Sequence, residues 1–281
     1  MMTSPTSSTE NIEMPDLSSE YSLTREQIES YRRDGHILLR GVASPAEIAV
    51  YRPAINEAAQ RFNTETRRLE ERDAYGKAFL QIMNLWEKDE AVKRFTFARR
   101  FAAIAAELMG VEGVRIYHDQ ALFKEPGGGP TPWHQDQHYW PLDTNNTITL
   151  WMPLVPVPLE VGSMSFASGS QNLGYVGDLP ISEKSDEALQ NLIRERDLRT
   201  HTYGALEAGD ATYHAGWTLH GAPGNPTPNT REVMTIIYID SNARVIEPDS
   251  ASRRDDLSRW LPGLQPGDFA HSERNPLVFG K

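Results

Sequence analysis

Three side chains at two separate points of the chain have the types and spacing to hold one metal ion. His134 and Asp136 stand two residues apart, and His220 lies far downstream in a Leu-His-Gly turn. An Fe(II) ion that activates dioxygen needs three protein ligands on one face and open positions opposite them. Residues at i and i+2 of an extended segment point to the same side, so His134 and Asp136 can reach one ion. A third ligand must then come from a different strand, and His220 is placed to supply it. Arg231 follows soon after and opens an apolar run. A keto acid such as 2-oxoglutarate chelates the ion through one end, and its far carboxylate needs a fixed cation. A guanidinium serves best, because it meets a carboxylate with two parallel hydrogen bonds. Arg231 alternates with Val233, Thr235 and Ile237 along one strand face, which aims it at the interior.

Among eight histidines a His-x-Asp triplet alone is a weak signal, and the company of His220 and Arg231 gives it weight. His118 and His138 have no carboxylate partner as well spaced as Asp136, so neither is expected to be a ligand. His214 reads as a core histidine on the strand before His220. Trp133, Tyr139 and Trp140 either pack the lip of a barrel or wall the substrate space. Gly127-Gly-Gly lacks a surrounding strand–GxGxxG–helix unit and reads as a hairpin connection, not a phosphate loop. The same three ligands suit a zinc or manganese hydrolase, but Arg231 has no evident task in hydrolysis. A non-catalytic binding relative commonly loses one of the four residues. A halogenase usually replaces the carboxylate ligand with a small residue, so Asp136 points to oxygen insertion or oxidation instead.

The elements that must position these groups change character along the chain. Residues 1–20, rich in Ser, Thr, Pro and Glu, read as a disordered tail. Thr24 with Gln27 forms a capping box, and Leu23 with Ile28 forms a staple, opening a helix that stops near Asp34-Gly35. A short strand follows from His36. Ser44, Pro45 and Glu47 start a second helix, which Pro53 is expected to kink or restart. Over 91–109, Phe97, Phe101, Ile104 and Leu108 recur at helical spacing and predict one buried stripe. Beyond Gly110, β-rich runs at 114–124, 147–157, 163–167, 200–203, 211–214 and 233–240 are punctuated by Gly and Pro. A polar helix near 183–196 interrupts them and could cover a site. This predicts helical support over 22–110, an antiparallel β-core over 111–245, barrel or jelly roll, and an extension over 246–281, all in one domain spanning 21–281.

The segment Pro132-Trp-His-Gln-Asp-Gln-His-Tyr-Trp-Pro141, with His220-Gly-Ala-Pro-Gly-Asn225 and Arg231, resembles the phytanoyl-CoA dioxygenase family. The likeness extends to Asp119-Gln-Ala-Leu-Phe-Lys124 and to the helix–Gly–strand opening, covering about residues 22–245. It implies a double-stranded β-helix of the jelly-roll, cupin-like kind with supporting N-terminal helices. It also implies an Fe(II) site, dioxygen as oxidant, ascorbate as an assisting reductant, and conversion of 2-oxoglutarate to succinate and CO2. By position, His134, Asp136 and His220 match the family's metal ligands and Arg231 its cosubstrate arginine. Trp151 takes the place of an aromatic beside the cosubstrate, and Gln120 that of a pocket-lining residue. Family substrates range from acyl-CoA thioesters to amino acid derivatives and secondary metabolites. The chain shows no basic cluster for CoA phosphates, so a small-molecule tailoring reaction is the expectation, with acyl-CoA hydroxylation as the alternative.

Composition bounds the rest. Hydrophobic residues at 39% supply a real core, and the absence of cysteine excludes disulfides, thiolate metal sites and cysteine nucleophiles. The polar, acidic start lacks the basic and apolar stretches of a secretory signal, and no apolar run is long enough to span a bilayer. A cytoplasmic enzyme is therefore expected. A net charge of −11 gives nucleic acid no basic face. The same balance, with Glu160, Asp178, Glu183, Asp186 and Glu187 in or beside the polar helix, suggests a cationic substrate such as an aminosugar, drawn in by acids at the pocket mouth.

Overall fold

The computed structural model describes residues 13–280. The chain opens with helix α1 (Arg25–Asp34), capped by the Thr24–Gln27 box and ended by Gly35 at φ 79°. Strand β1 (His36–Leu39) and helix α2 (Pro45–Phe62) follow, the helix started by the Ser44–Glu47 box. Pro53 neither ends nor restarts α2, whose buried Ile48, Tyr51, Ile55 and Ala58 hold the segment against the core on both sides of it. Helix α3 (Ala74–Ala78) and strand β2 (Leu80–Met83) come next. The stripe expected over 91–109 is two helices, α4 (Glu90–Thr96) and α5 (Arg99–Met109), parted at Phe97-Ala98. Tertiary anchors on either side of the break account for the split. Thr96 donates to the buried Asp119 at 2.8 Å, while Arg100 donates to the carbonyls of Ser19 and Val42 and to Glu47.

The expected tail is corrected in its second half. Residues 1–12 lie outside the described residues, but 13–20 pack on the helices. Leu17 is buried, its carbonyl accepts from the Arg100 amide, and Tyr51 donates to the carbonyl of Pro15 at 2.6 Å.

Nine further strands and two helices complete the described fold. They are β3 (Val114–Lys124), β4 (Thr131–His134), β5 (Thr147–Pro153), β6 (Ser165–Ala167), helix α6 (Glu183–Glu195), β7 (Thr200–Thr202), β8 (Ala211–Ala215), β9 (His220–Ala222), β10 (Arg231–Asp240), helix α7 (Ala251–Trp260) and finally β11 (Leu277–Phe279). One sheet runs β1-β8-β5-β10-β3-β11 with β2 also on β3, and a second runs β4-β9-β6-β7. All pairings are antiparallel. The two sheets face each other as the jelly roll of the double-stranded β-helix, without closing into one continuous barrel. The runs read from the sequence match β3 at both ends and the others within a few residues. The short β2, β4, β9 and β11 were not foreseen.

Strand β10, between β5 and β3, explains why its sequence reads as apolar throughout. Met234, Ile236 and Tyr238 point outward into the core shared with α2, α4 and α5. Arg231, Thr235 and Ile237 point inward, between the sheets. The extension over 246–281 is part of the fold. Trp260 and Leu261 share a buried cluster with Tyr117, Trp140 and Ile237, and β11 pairs with the start of β3.

Candidate metal centre and its cavity

Strand register builds the site. On the smaller sheet His134 and His220 stand directly opposite each other, their rings 4.1 Å apart between centroids. His134 ends β4, and Asp136 opens a short 3-10 turn, so the ligand pair is not one continuous extended segment as expected. The two still converge: ligand atoms of His134, Asp136 and His220 all lie within 4.8 Å of one another.

Hydrogen bonding fixes which atoms face the centre. Nδ1 of His134 lies 2.7 Å from the Pro132 carbonyl and Nδ1 of His220 2.9 Å from that of Thr218. A carbonyl only accepts, so in each neutral ring Nδ1 carries the proton and Nε2 offers a lone pair. Those two Nε2 atoms sit 3.5 and 3.6 Å from Oδ1 of Asp136. Lone pairs facing a carboxylate repel unless a cation lies between them, and this donor set of two imidazoles and one carboxylate suits Fe(II). Burial, with the neighbouring imidazoles, pushes His220 well below its ordinary pKa, which keeps it neutral. Burial alone would raise Asp136, but the surrounding imidazoles of His220, His134 and His214 hold it well below the usual carboxylate range.

The hydrogen bonds at Oδ2 of Asp136 come from the larger sheet. Thr149 on β5 and His214 on β8 are register partners, and both reach Oδ2 of Asp136, at 2.7 and 3.1 Å. Oδ2 is thereby occupied and Oδ1 is left for an ion. His214 is buried as expected, yet it is also a positioning residue for Asp136, a role its sequence context does not reveal. His118 faces the cavity from β3, its ring tilted against that of Trp260 at 5.0 Å, but is not among the converging ligand atoms. His138 points instead toward Asp178, at 3.5 Å. Neither is brought to the centre, as expected.

One cavity of about 450 Å³ joins the centre to the rest of the interior. Along its floor, Gln120, Thr235 and Trp151 form one rung across β3, β10 and β5, so all three face it. Arg231 lies at the far end, two rungs on, its guanidinium 5.3 Å from the Trp151 ring. It is buried, donates from Nη1 to the Gly162 carbonyl, and leaves Nε without a partner. Its register partner is Lys124, fully buried, which donates to the Gly129 carbonyl and at 3.3 Å to Thr131. Burial lowers Arg231 to about 10, and burial together with Arg231 lowers Lys124 to about 7. Among the described residues neither cation has a carboxylate within salt-bridge distance. Two adjacent buried cations with an orphaned N–H fit the remote carboxylate of 2-oxoglutarate. Gly162, at φ 86°, permits this corner, since a Cβ there would meet the Pro223 carbonyl at 2.8 Å.

The mouth departs from expectation. None of Glu160, Asp178, Glu183, Asp186 and Glu187 lines the cavity. Asp186 instead accepts from the Trp133 amide at 2.7 Å, and α6 packs on the sheet through Leu189 and Ile193. Charged residues of a surface helix are held by solvent and local hydrogen bonds, so their density in sequence did not report the pocket. The segment before α6 contributes Pro180 and Ile181, the latter donating its amide to the Tyr139 hydroxyl at 2.9 Å. Tyr139 and Trp140 line the cavity, whereas Trp133 packs against the α6 cluster. The unforeseen wall is α7, which brings Asp255, Asp256 and Trp260 to the cavity.

The sequence model of the phytanoyl-CoA dioxygenase (PhyH) family matches residues 31–233, and the chain belongs to that family of iron- and 2-oxoglutarate-dependent oxidoreductases. Among individual proteins it is similar to the ectoine dioxygenase of Streptomyces anulatus, 24% identical over 250 residues and 82% of each chain. It also resembles the solved structure of SnoK, a non-haem α-ketoglutarate-dependent carbocyclase from nogalamycin biosynthesis. There the TM-score is 0.74 at 27% identity, covering 91% of this chain and 96% of that one. The epimerase SnoN, solved with Fe3+, α-ketoglutarate and nogalamycin RO, gives a TM-score of 0.71 at 27% identity, covering 90% and 97%. No helix among the described residues is long and apolar enough to cross a membrane.

Proposed function

We propose that this oxidoreductase hydroxylates or otherwise oxidises a small secondary metabolite in the cytoplasm, with His134, Asp136 and His220 holding Fe(II). The carrying observation is the convergence of two Nε2 atoms, on rings whose Nδ1 meets a carbonyl, and one carboxylate oxygen on the wall of the cavity. Iron held there supplies dioxygen activation coupled to decarboxylation of 2-oxoglutarate to succinate. The protein's own residues do the positioning. Arg231, assisted by Lys124, anchors the remote carboxylate of 2-oxoglutarate, with Trp151 and Gln120 flanking it on the rung between the cations and the metal ligands. Thr149 and His214 hold Asp136 in its ligating orientation. Tyr139, Trp140 and α7 wall the substrate and keep water from the reacting face.

Likeness to two enzymes of nogalamycin biosynthesis supports a tailoring role over acyl-CoA hydroxylation. So does the mouth, where the one arginine of α7 that lines the cavity, Arg259, lies 3.4 Å from Asp255. The test is succinate release from 2-oxoglutarate by the Fe(II)-loaded protein with ascorbate, screened against amines, aminosugars, polycyclic aromatics and acyl-CoA thioesters. Stimulation by a secondary-metabolite class supports the reading. Stimulation by acyl-CoA alone returns the enzyme to the activity for which its family is named, and succinate release no greater than that of Asp136→Ala removes the oxygenase reading.

A further inference from the structure

The cavity is electrically two-ended. At its far end lies Arg231, with Lys124 packed beside it and no carboxylate within salt-bridge distance of either among the described residues. Its opposite wall, on α7, carries Asp255, Asp256 and Arg259. Arg259 lies 3.4 Å from Asp255 and stacks over Trp260 at 5.4 Å, so its charge is already engaged. Asp256 is different. Among the described residues no cation lies within salt-bridge distance of it. Its close partner is the hydroxyl of the buried Tyr117, which donates to Oδ2 at 2.8 Å. A carboxylate has about four acceptor positions, and Tyr117 with the indole of Trp260 fills at most two of them. The neighbouring His118 brings no charge, because burial lowers it to about 3. Burial in turn pushes the Asp256 carboxyl up to about 7, by more than its hydrogen bonds and the charge of Arg259 offset.

The walls around Asp256 are aromatic. Tyr75, Tyr139, Trp140 and Trp260 all line the same cavity. Aromatic faces beside a carboxylate attract an organic ammonium, through the ring quadrupoles and through the charge. An anionic substrate would be repelled there, and a neutral hydroxyl would leave the charge uncompensated.

We propose that Asp256 is the specificity-determining residue of this oxygenase, reading the ammonium group of an amine substrate whose body lies against Tyr75, Tyr139 and Trp260. The inference rests on the oxygenase reading above and names its substrate class. It places the cation-recognising acid on the C-terminal helix, while the acids in and around α6 stay outside the cavity.

The experiment is calorimetric titration of the full chain, loaded anaerobically with Fe(II) and 2-oxoglutarate, with three probes of similar size: 2-phenylethylamine, 2-phenylethanol and 3-phenylpropanoate. The wild type should bind the amine about tenfold tighter than the alcohol, and the acid most weakly. Asp256→Asn should bring the amine down to the affinity of the alcohol and leave the alcohol unchanged. Asp178→Asn, near α6 and outside the cavity, should keep the amine preference. Asp256→Ser replaces Asp256→Asn if the latter does not fold. No amine preference in the wild type, including no detectable amine binding, overturns the proposal, as does a preference that survives loss of Asp256. The metal-to-ligand charge-transfer band of the same samples separates the two levels of failure. Without the band the oxygenase reading falls; with the band and no amine preference, only the assignment of Asp256 falls.

Discussion

At the deep end of the cavity every functional side chain rises from a β-strand or the turn just after one, and its neighbours follow from register. His134 faces His220, Lys124 faces Arg231, Thr149 faces His214, and Thr235 stands between Gln120 and Trp151. The mouth is assembled otherwise, from the segment before α6, the aromatic turn after Asp136, and a helix more than a hundred residues further along the chain. The deep end holds groups fixed to a rigid ladder, their free donors and lone pairs turned toward metal and cosubstrate. The mouth is tied by contacts between segments far apart in the chain, such as the Ile181 amide on Tyr139 and the Arg253 guanidinium on the His138 carbonyl at 3.2 Å. A scaffold of this kind can keep one chemistry and change its substrate by altering the mouth alone.

Substitutions at the two ends should therefore differ in kind. The largest effect belongs to the ligands. His134→Ala, Asp136→Ala and His220→Ala should each abolish Fe(II)-dependent succinate release with little change in circular dichroism, because they empty a site and not the core. Metal content after desalting checks this, and loss of iron in His118→Ala with retention in His220→Ala would reassign the third ligand.

Next comes Arg231→Leu. A buried carboxylate deprived of its guanidinium costs about 3–5 kcal/mol, more than a hundredfold in affinity for 2-oxoglutarate. Iron binding should survive, so anaerobic titration of the charge-transfer band reads the loss directly. Unchanged affinity would move the cosubstrate anchor elsewhere.

His214→Leu removes one of the two donors to Asp136 Oδ2. Outer-shell partners of this kind are worth roughly ten- to hundredfold in metal affinity. Competition with a chelator should show that loss with 2-oxoglutarate affinity at saturating iron almost unchanged. Equal loss of both would mean that His214 supports the cavity as a whole.

Lys124→Met should weaken 2-oxoglutarate by about tenfold, less than Arg231→Leu, because Lys124 supports the anchor from beside it. It also carries a pH signature. Its ordinary value of 10.5 is lowered to about 7 in the fold, so between those values the unfolded chain binds more protons than the native one. Wild-type stability from this group therefore rises as pH climbs from about 7 toward 10.5. The stability of Lys124→Met relative to wild type should be highest near pH 7 and decline by pH 9 in urea melts. A constant difference would show that Lys124 is charged throughout.

The smallest effect is expected at the mouth. Tyr139→Phe deletes the acceptor of the Ile181 amide, worth about 1 kcal/mol. Hydrogen exchange over 176–184 should speed up while iron and 2-oxoglutarate affinities stay within about twofold, given their distance from the lost bond. A large drop in either affinity would erase the distinction between the two ends.

Much of the deep end could be read from the chain, because period-two alternation and ligand chemistry are local rules. Arg231 is inward because Val233, Thr235 and Ile237 share its parity, and its role follows from the keto acid it must hold. Thr149 and His214 escaped that reading, since their task depends on β5 and β8 being neighbours across a gap of about sixty residues. The lid acids misled it. Their density suggested a charged pocket rim, whereas α6 turns its apolar Leu189 and Ile193 inward and keeps those acids off the cavity wall.

By itself, then, the sequence determined the capped helices, the alternation of the strands, and the set of side chains able to bind iron and a keto acid. These depend on backbone geometry and on donor chemistry within a few residues. Only the tertiary structure decided that 91–109 would break into two helices, that 13–20 would pack under Arg100, and that α7 would wall the substrate side with Asp256. Each of these was settled by contacts between segments far apart in the chain, where burial and long-range hydrogen bonds outweigh the local preferences that a linear reading can follow.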